Sequence, residues 1–80
     1  MARVPLESSV LAAAQYFPEL QALDIVFLSG EIYRYSGVPL PLYRELLEAD
    51  SKGTFFIVHI RNQFSFQRLG NSEALSAHAD

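Results

Sequence analysis

A strand-turn-strand pattern in the first half of the chain constrains the fold more than any other feature. Residues 23–28 and residues 31–35 are rich in β-branched and aromatic residues, and the turn pair Ser29-Gly30 separates them. Two such runs around a glycine-containing turn predict a β-hairpin. A hairpin alone is marginally stable in water, so the chain has to supply a further strand or a helix that packs on it.

The register of this hairpin depends on the turn. With a two-residue loop at Ser29-Gly30, Val26 faces Tyr33 and Asp24 faces Tyr35. A bulge at the turn shifts the register by one residue and exchanges these partners. The alternation of side chains along a strand places Tyr33 and Tyr35 on the same face in either case.

The segments on either side predict a third strand and a helix. Residues 8–16 contain a run of alanines that favours a helix, but the hairpin needs another strand, and we predict a strand here. A turn follows at residues 17–19. Residues 40–52 have a helical period, with apolar residues recurring along one stripe. Gly53 suits the left-handed backbone position that ends a helix.

The last part of the chain predicts a second helix and a final strand. Residues 54–61 have strand-forming composition, but Phe56, Ile60 and Phe64 recur at four-residue intervals. We therefore predict a short helix over residues 52–61, with a strand as the alternative. A last strand follows over residues 64–68.

Together these elements predict one α+β domain over residues 1–69. Its core is a small antiparallel sheet of three or four strands, with one or two helices packed on it. Residues 70–80 are predicted to form a polar, disordered C-terminal tail.

Composition excludes several classes of protein. The 80 residues include no cysteine, which removes disulfides and thiolate metal sites. The net charge of −3 argues against a general polyanion binder, which is usually strongly basic. No apolar stretch approaches the roughly 18 residues that cross a bilayer, and no signal peptide is visible, so we expect a cytoplasmic protein without a membrane partner.

A series of short motifs resembles a known family. The motifs, in chain order, are Ser8-Ser9, Gly30, Tyr33-Arg34-Tyr35, Val38-Pro39, Tyr43, Ala49-Asp50-Ser51-Lys52-Gly53, Phe56, Ile60-Arg61 and Phe64-Ser65-Phe66. In this order they resemble the KTSC domain, a short bacterial module found at the C-terminus of some lysyl-tRNA synthetases and as stand-alone proteins. The resemblance implies a small α+β fold and RNA, tRNA-like or single-stranded, as a candidate ligand.

Aromatic and basic residues in the second half of the chain provide a candidate RNA-binding surface. Aromatic rings stack on bases, while Arg and Lys bind phosphates. The predicted nucleic-acid-binding residues are Tyr33, Arg34, Tyr35, Lys52, Arg61, Phe64 and Arg68. The alternative is that the two tyrosines belong to the core and Arg34 points to solvent.

Other functions stay open. One is a protein-interaction or self-associating module that does not bind nucleic acid, and another is a binder of a small anionic metabolite. No enzyme signature, cofactor or metal site is predicted. A helix cap explains Ser51-Lys52 more simply than a nucleophile pair, His59 and His78 are far apart, and Glu45 and Glu48 fit a solvated helix face.

Overall fold

The computed structural model describes residues 1–71 and contains five strands and two helices. In chain order they are β1 (Val4–Pro5), β2 (Leu11–Phe17), β3 (Ala22–Phe27), β4 (Glu31–Ser36), α1 (Leu40–Glu48), α2 (Lys52–His59) and β5 (Phe66–Asn71). All neighbouring strands are antiparallel, and their order in the sheet is the order in the chain. The predicted α+β class is confirmed, with five strands instead of three or four.

Both helices pack on the same face of the sheet. The core lies between the helices and the sheet, and it combines alternate residues of the central strands with the apolar stripe of each helix. Its most deeply buried members are Leu11, Tyr16, Leu23, Ile25, Val38, Leu46, Phe56 and Ile60. The Tyr16 ring stacks on Tyr43 of α1 with ring centroids 5.1 Å apart, and its hydroxyl donates to the carbonyl oxygen of Val38 at 2.6 Å.

The β3–β4 hairpin has the bulged register. Val26 pairs with Ile32 and Asp24 pairs with Arg34, so the register predicted for a two-residue loop is wrong by one residue. The amide of Gly30 donates to the carbonyl oxygen of Phe27 at 2.8 Å, and Gly30 has a φ of 96°. This arrangement fits a three-residue loop that ends in a left-handed residue, a position that favours glycine.

The two helices meet at a capped junction. Glu48 ends α1, earlier than the predicted residue 52, because Ser51 is the N-cap of α2 and its hydroxyl accepts from the amide of Thr54 at 3.3 Å. Gly53 lies in the first turn of α2, so its predicted role as a helix terminator is wrong. A Cβ on Gly53 would lie 3.4 Å from the Ser8 hydroxyl oxygen, an ordinary van der Waals distance, so the contact of α2 with the N-terminal segment leaves room for alanine here.

The remaining predictions differ mainly in their bounds. The strand predicted over residues 8–16 is β2, and the short helix predicted over residues 52–61 is α2. The last strand begins at residue 66 instead of 64 and continues to Asn71, so it includes the first two residues of the predicted tail. The rest of that tail, residues 72–80, lies outside the described residues. Within residues 1–71, no helix is long and apolar enough to cross a membrane.

Candidate functional site

An open groove lies between α2, the β3–β4 hairpin and β5. Its volume is about 660 Å³, and aromatic residues are the largest group among its lining side chains. Five rings line it, contributed by Phe27, Tyr33, Tyr35, Phe56 and Phe66. Clefts of this size with aromatic walls and a few polar groups are typical ligand-binding sites.

The five rings form a closed cycle of contacts, which we call the aromatic cluster. Phe27 contacts Tyr33, Tyr33 contacts Phe66, Phe66 contacts Tyr35, Tyr35 contacts Phe56, and Phe56 contacts Phe27. Successive ring centroids are 5.4–5.7 Å apart. Contacts that involve Phe27 or Phe56 are edge-to-face, whereas Phe66 lies over the two tyrosines at angles of 30° and 41°. Each ring is thus oriented by two others.

Burial differs across the aromatic cluster. Phe56 and Tyr35 are almost completely buried and form the floor of the groove, whereas Tyr33 and Phe27 are half-buried. Phe66 is 57% exposed although it is a large apolar residue on a strand. An exposed ring that is held by neighbouring rings is available to stack on a planar ligand without a rearrangement of the core.

Polar groups converge on one part of the groove. Within residues 1–71, the hydroxyls of Tyr33 and Tyr35 make no hydrogen bond and the guanidinium of Arg61 makes no ion pair. Burial raises the pKa of Tyr35 from 10.0 to about 12, and the nearby Tyr33 adds to this effect. The positive charge of Arg61 acts in the opposite direction, so Arg61 lies close enough to the Tyr35 hydroxyl to influence it.

Arg34 lies on the other face of the sheet. It alternates with the two tyrosines along β4, and its guanidinium binds both carboxylate oxygens of Asp24, at 2.7 Å and 3.0 Å. This hydrogen-bonded ion pair raises the pKa of Arg34. The guanidinium also lies 4.8 Å from the centroid of the Phe17 ring. The sequence predicted Arg34 in one surface with Tyr33 and Tyr35, and strand alternation separates them.

Other predicted residues also lie outside the groove. The ammonium of Lys52 donates to the carbonyl oxygen of Ala49 at 3.0 Å, and Lys52 lines a smaller cavity beside the N-terminus of α2. Phe64 packs against the core before β5 begins. Arg68 is an exposed residue of β5 whose Nε lies 3.8 Å from Oε1 of Glu31. Of the predicted residues, the groove therefore brings together Tyr33, Tyr35 and Arg61.

Several groove residues were not predicted as site residues. They include Phe27, Glu31, Phe56, Asn62 and Phe66. The sequence signal for Phe66 was the motif Phe64-Ser65-Phe66, whose second ring lies opposite Tyr35 across β4 and β5. Assigning Phe66 to the groove depended on the register of β5, which begins two residues later than predicted. Phe27 and Phe56 read as ordinary core residues in the sequence.

Ionisable side chains are few in the part of the groove that the structure describes. Among residues 1–71, no group of three or more His, Asp, Glu or Cys side chains could hold a metal ion. The described lining includes one carboxylate, from Glu31, and no histidine. What the arrangement can do is hold a planar ligand against its rings and attract an anion to Arg61.

The fold defines a small module in which an antiparallel sheet carries two helices on one face. The chain belongs to the KTSC domain family, whose sequence model matches residues 7–64. This confirms the resemblance found in the sequence. A crystal structure of a KTSC domain protein from Yersinia pestis superposes with a TM-score of 0.83 at 33% identity, and the match covers 86% of this chain and 97% of that one.

Relatives in other bacteria occur in two settings. An "Uncharacterized protein" of Stutzerimonas stutzeri is 50% identical over 56 residues, which are 70% of this chain and 79% of that protein. A lysine–tRNA ligase of a Nostoc species is 43% identical over 63 residues. The match covers 79% of this chain but 11% of the ligase, so the family occurs both in small proteins and within a much longer synthetase.

Proposed function

We propose that this KTSC domain is a non-enzymatic RNA-binding module and that single-stranded RNA binds in the aromatic groove. The observation that carries the proposal is the exposed face of the aromatic cluster beside the unpaired cation of Arg61. Single-stranded RNA is bound in proteins by this combination of stacking rings and cationic side chains. The relative within a lysine–tRNA ligase, an enzyme that acts on tRNA, supports the same ligand class.

Stacking on Phe66 provides much of the expected affinity. Its ring is the most exposed of the aromatic cluster, and Tyr33 and Tyr35 hold it from below. A base stacked on an aromatic side chain contributes about 1–3 kcal/mol. Removal of the Phe66 side chain should therefore weaken RNA binding by roughly five- to a hundredfold.

The electrostatic contribution is small. Arg34 is paired with Asp24 on the opposite face, Lys52 lies outside the groove, and Arg68 lies beside Glu31. Arg61 is the one cationic residue of the described chain that lines the groove. One phosphate contact gives a slope of log K against log salt of about −0.7 for a single strand. If all four cations predicted from the sequence bound phosphates, this slope would be roughly −3.

The test is a fluorescence anisotropy titration of a labelled mixed-sequence RNA oligomer at several salt concentrations. We expect weak binding to wild type, reduced affinity in Phe66→Ala, and in Arg61→Ala a salt slope close to zero. Matched controls are Leu20→Ala, an exposed residue of the β2–β3 turn, and Arg44→Ala, an exposed cation of α1. Neither control residue lines the groove, so both variants should bind as wild type does.

Self-association is the second candidate function. Leu28, Ile57 and Val10 are exposed apolar residues on the rim of the same groove, so a second protein surface could close over it. Sedimentation of the pure protein, run beside the titration, separates the two functions. A stable oligomer that does not bind RNA at low salt would overturn the RNA proposal and favour an interface between copies of the chain.

A further inference from the structure

The groove has charged side chains of opposite sign. Glu31 and Arg61 are its two charged lining residues within the described chain. Glu31 begins β4, and the alternation of side chains puts it on the same face as Tyr33 and Tyr35. Four residues of strand span roughly 13 Å, so the Cα atoms of Glu31 and Tyr35 are separated by about this distance. Arg61 lines the same groove as Tyr35, and its positive charge acts on the Tyr35 hydroxyl.

The Glu31 carboxylate is available to a ligand. Its side chain is 43% exposed, and the approach of Arg68 at 3.8 Å is too long for a hydrogen bond. An ionised carboxylate only accepts hydrogen bonds, through two oxygens that lie side by side. It therefore favours a ligand edge with two adjacent N–H donors and disfavours an edge that presents acceptors.

Among the RNA bases, guanine presents such an edge. Its N1–H and N2–H groups are neighbouring donors that fit both carboxylate oxygens. Adenine and cytosine each place a ring-nitrogen acceptor beside the amino group, and the N3–H of uracil lies between two carbonyl oxygens. A base stacked on the aromatic cluster would direct its pairing edge toward Glu31 when its phosphate lies at Arg61.

We infer that Glu31 is a specificity-determining residue and that the groove selects guanine. The inference rests on the proposed RNA-binding function and adds the identity of the base. The donor edge of guanine and the phosphate are opposite ends of one nucleotide. In the proposed arrangement the negative charge of Glu31 binds the donor edge, and the positive charge of Arg61 binds the phosphate. Arg68 is the register partner of Tyr33, and its Nε lies 3.8 Å from Oε1 of Glu31, so guanine competes with this ion pair for the carboxylate.

The test compares oligouridine RNAs of equal length that carry guanosine, inosine, adenosine or uridine at one central position. By fluorescence anisotropy, wild type should bind the guanosine oligomer roughly five- to a hundredfold more tightly than the uridine oligomer. Inosine, which lacks the N2 amino group, should fall between them. In Glu31→Gln one oxygen acceptor is replaced by an amide donor, and the ratio of guanosine to uridine affinity should fall by about tenfold.

Two further variants isolate the effect. Glu45→Gln makes the same chemical change on the exposed face of α1 and should keep the wild-type ratio. Arg68→Gln removes the cation that competes with guanine for Glu31, so it should raise the ratio of guanosine to uridine affinity. The ratio is the measured quantity because loss of a negative charge in Glu31→Gln raises the affinity for any RNA.

The outcomes separate the two proposals. Equal affinity for all four oligomers, with binding still dependent on Phe66 and Arg61, would overturn guanine selection and leave the RNA-binding function intact. A guanosine preference that survives Glu31→Gln would overturn the role of Glu31. Absence of binding to every oligomer at low salt would overturn both proposals.

Discussion

Replacement of Arg34 tests the division of the sheet into a binding face and a structural face. The Asp24 side chain is 7% exposed, and Arg34 donates two hydrogen bonds to its carboxylate, at 2.7 Å and 3.0 Å. Arg34→Met keeps an unbranched aliphatic side chain but removes the guanidinium with its contact to Phe17, which leaves a buried carboxylate without its partner. Such an unpaired charge strongly destabilises the folded state.

The magnitude follows from the burial of the pair. Breaking a fully buried pair costs about 3–5 kcal/mol, but 33% of the Arg34 side chain is exposed and water reduces the penalty. We expect Arg34→Met to lower the free energy of unfolding by roughly 2–4 kcal/mol. For a domain of this size the midpoint of thermal unfolding should fall by roughly 8–32 °C.

Urea and thermal denaturation followed by circular dichroism measure the effect. A double-mutant cycle with Asp24→Asn isolates the pair, and the double variant should be more stable than the sum of the single losses predicts. At temperatures where Arg34→Met is folded, RNA affinity should equal that of wild type, because Arg34 lies on the face opposite the groove. A stability change below about 0.5 kcal/mol, or a loss of RNA affinity like that of Arg61→Ala, would refute the reasoning.

Two further predictions concern the pH dependence of stability and the glycines. The pKa of Tyr35 is raised from 10.0 to about 12. The protonated hydroxyl therefore makes its full contribution to the free energy of unfolding below pH 10, and this contribution is lost as the pH rises from 10 through 12. Burial also raises the pKa of Tyr43, so wild type and Tyr35→Phe should both lose stability in alkali. Urea denaturation over this pH range should show a loss roughly 2–3 kcal/mol larger in wild type than in Tyr35→Phe, and equal losses in both would contradict the pKa of Tyr35. Gly53→Ala should be neutral or stabilising by up to about 1 kcal/mol, because the residue is helical and its Cβ meets only van der Waals contacts. Gly30→Ala should lower the free energy of unfolding by roughly 1–2 kcal/mol, because Gly30 has a φ of 96°. A larger loss of stability in Gly53→Ala than in Gly30→Ala would contradict the helical position of Gly53 and favour its predicted role at a helix end.

Local patterns in the sequence were sufficient for most of the secondary structure. The runs around Ser29-Gly30, the helical period after Pro39 and the four-residue spacing from Phe56 each reflect the geometry of a single element. The shared face of Tyr33 and Tyr35 follows from alternation alone and is confirmed by their common contact with Phe66. The family resemblance was carried by the same local motifs.

Turn geometry decided the hairpin register, and the sequence allowed two solutions. A two-residue and a three-residue loop are both compatible with Ser29-Gly30 between apolar runs. The bulged form places Gly30 in the left-handed region and pairs Asp24 with Arg34. Because Asp24 and Arg34 face each other across the two strands, they form an ion pair on the outer face of the sheet. In the other register, Arg34 would have a different residue opposite it.

The composition of the groove depended on the tertiary structure, because its residues come from elements that are distant in sequence. Phe27 and Phe66 close one cycle of rings only after α2 and β5 have packed beside the hairpin. A sequence shows which residues are aromatic, but exposure is a property of the folded surface, and it distinguishes Phe66 from the buried Phe56. The sequence by itself therefore determined the elements and the family, while packing decided which cations form ion pairs and which rings face the groove.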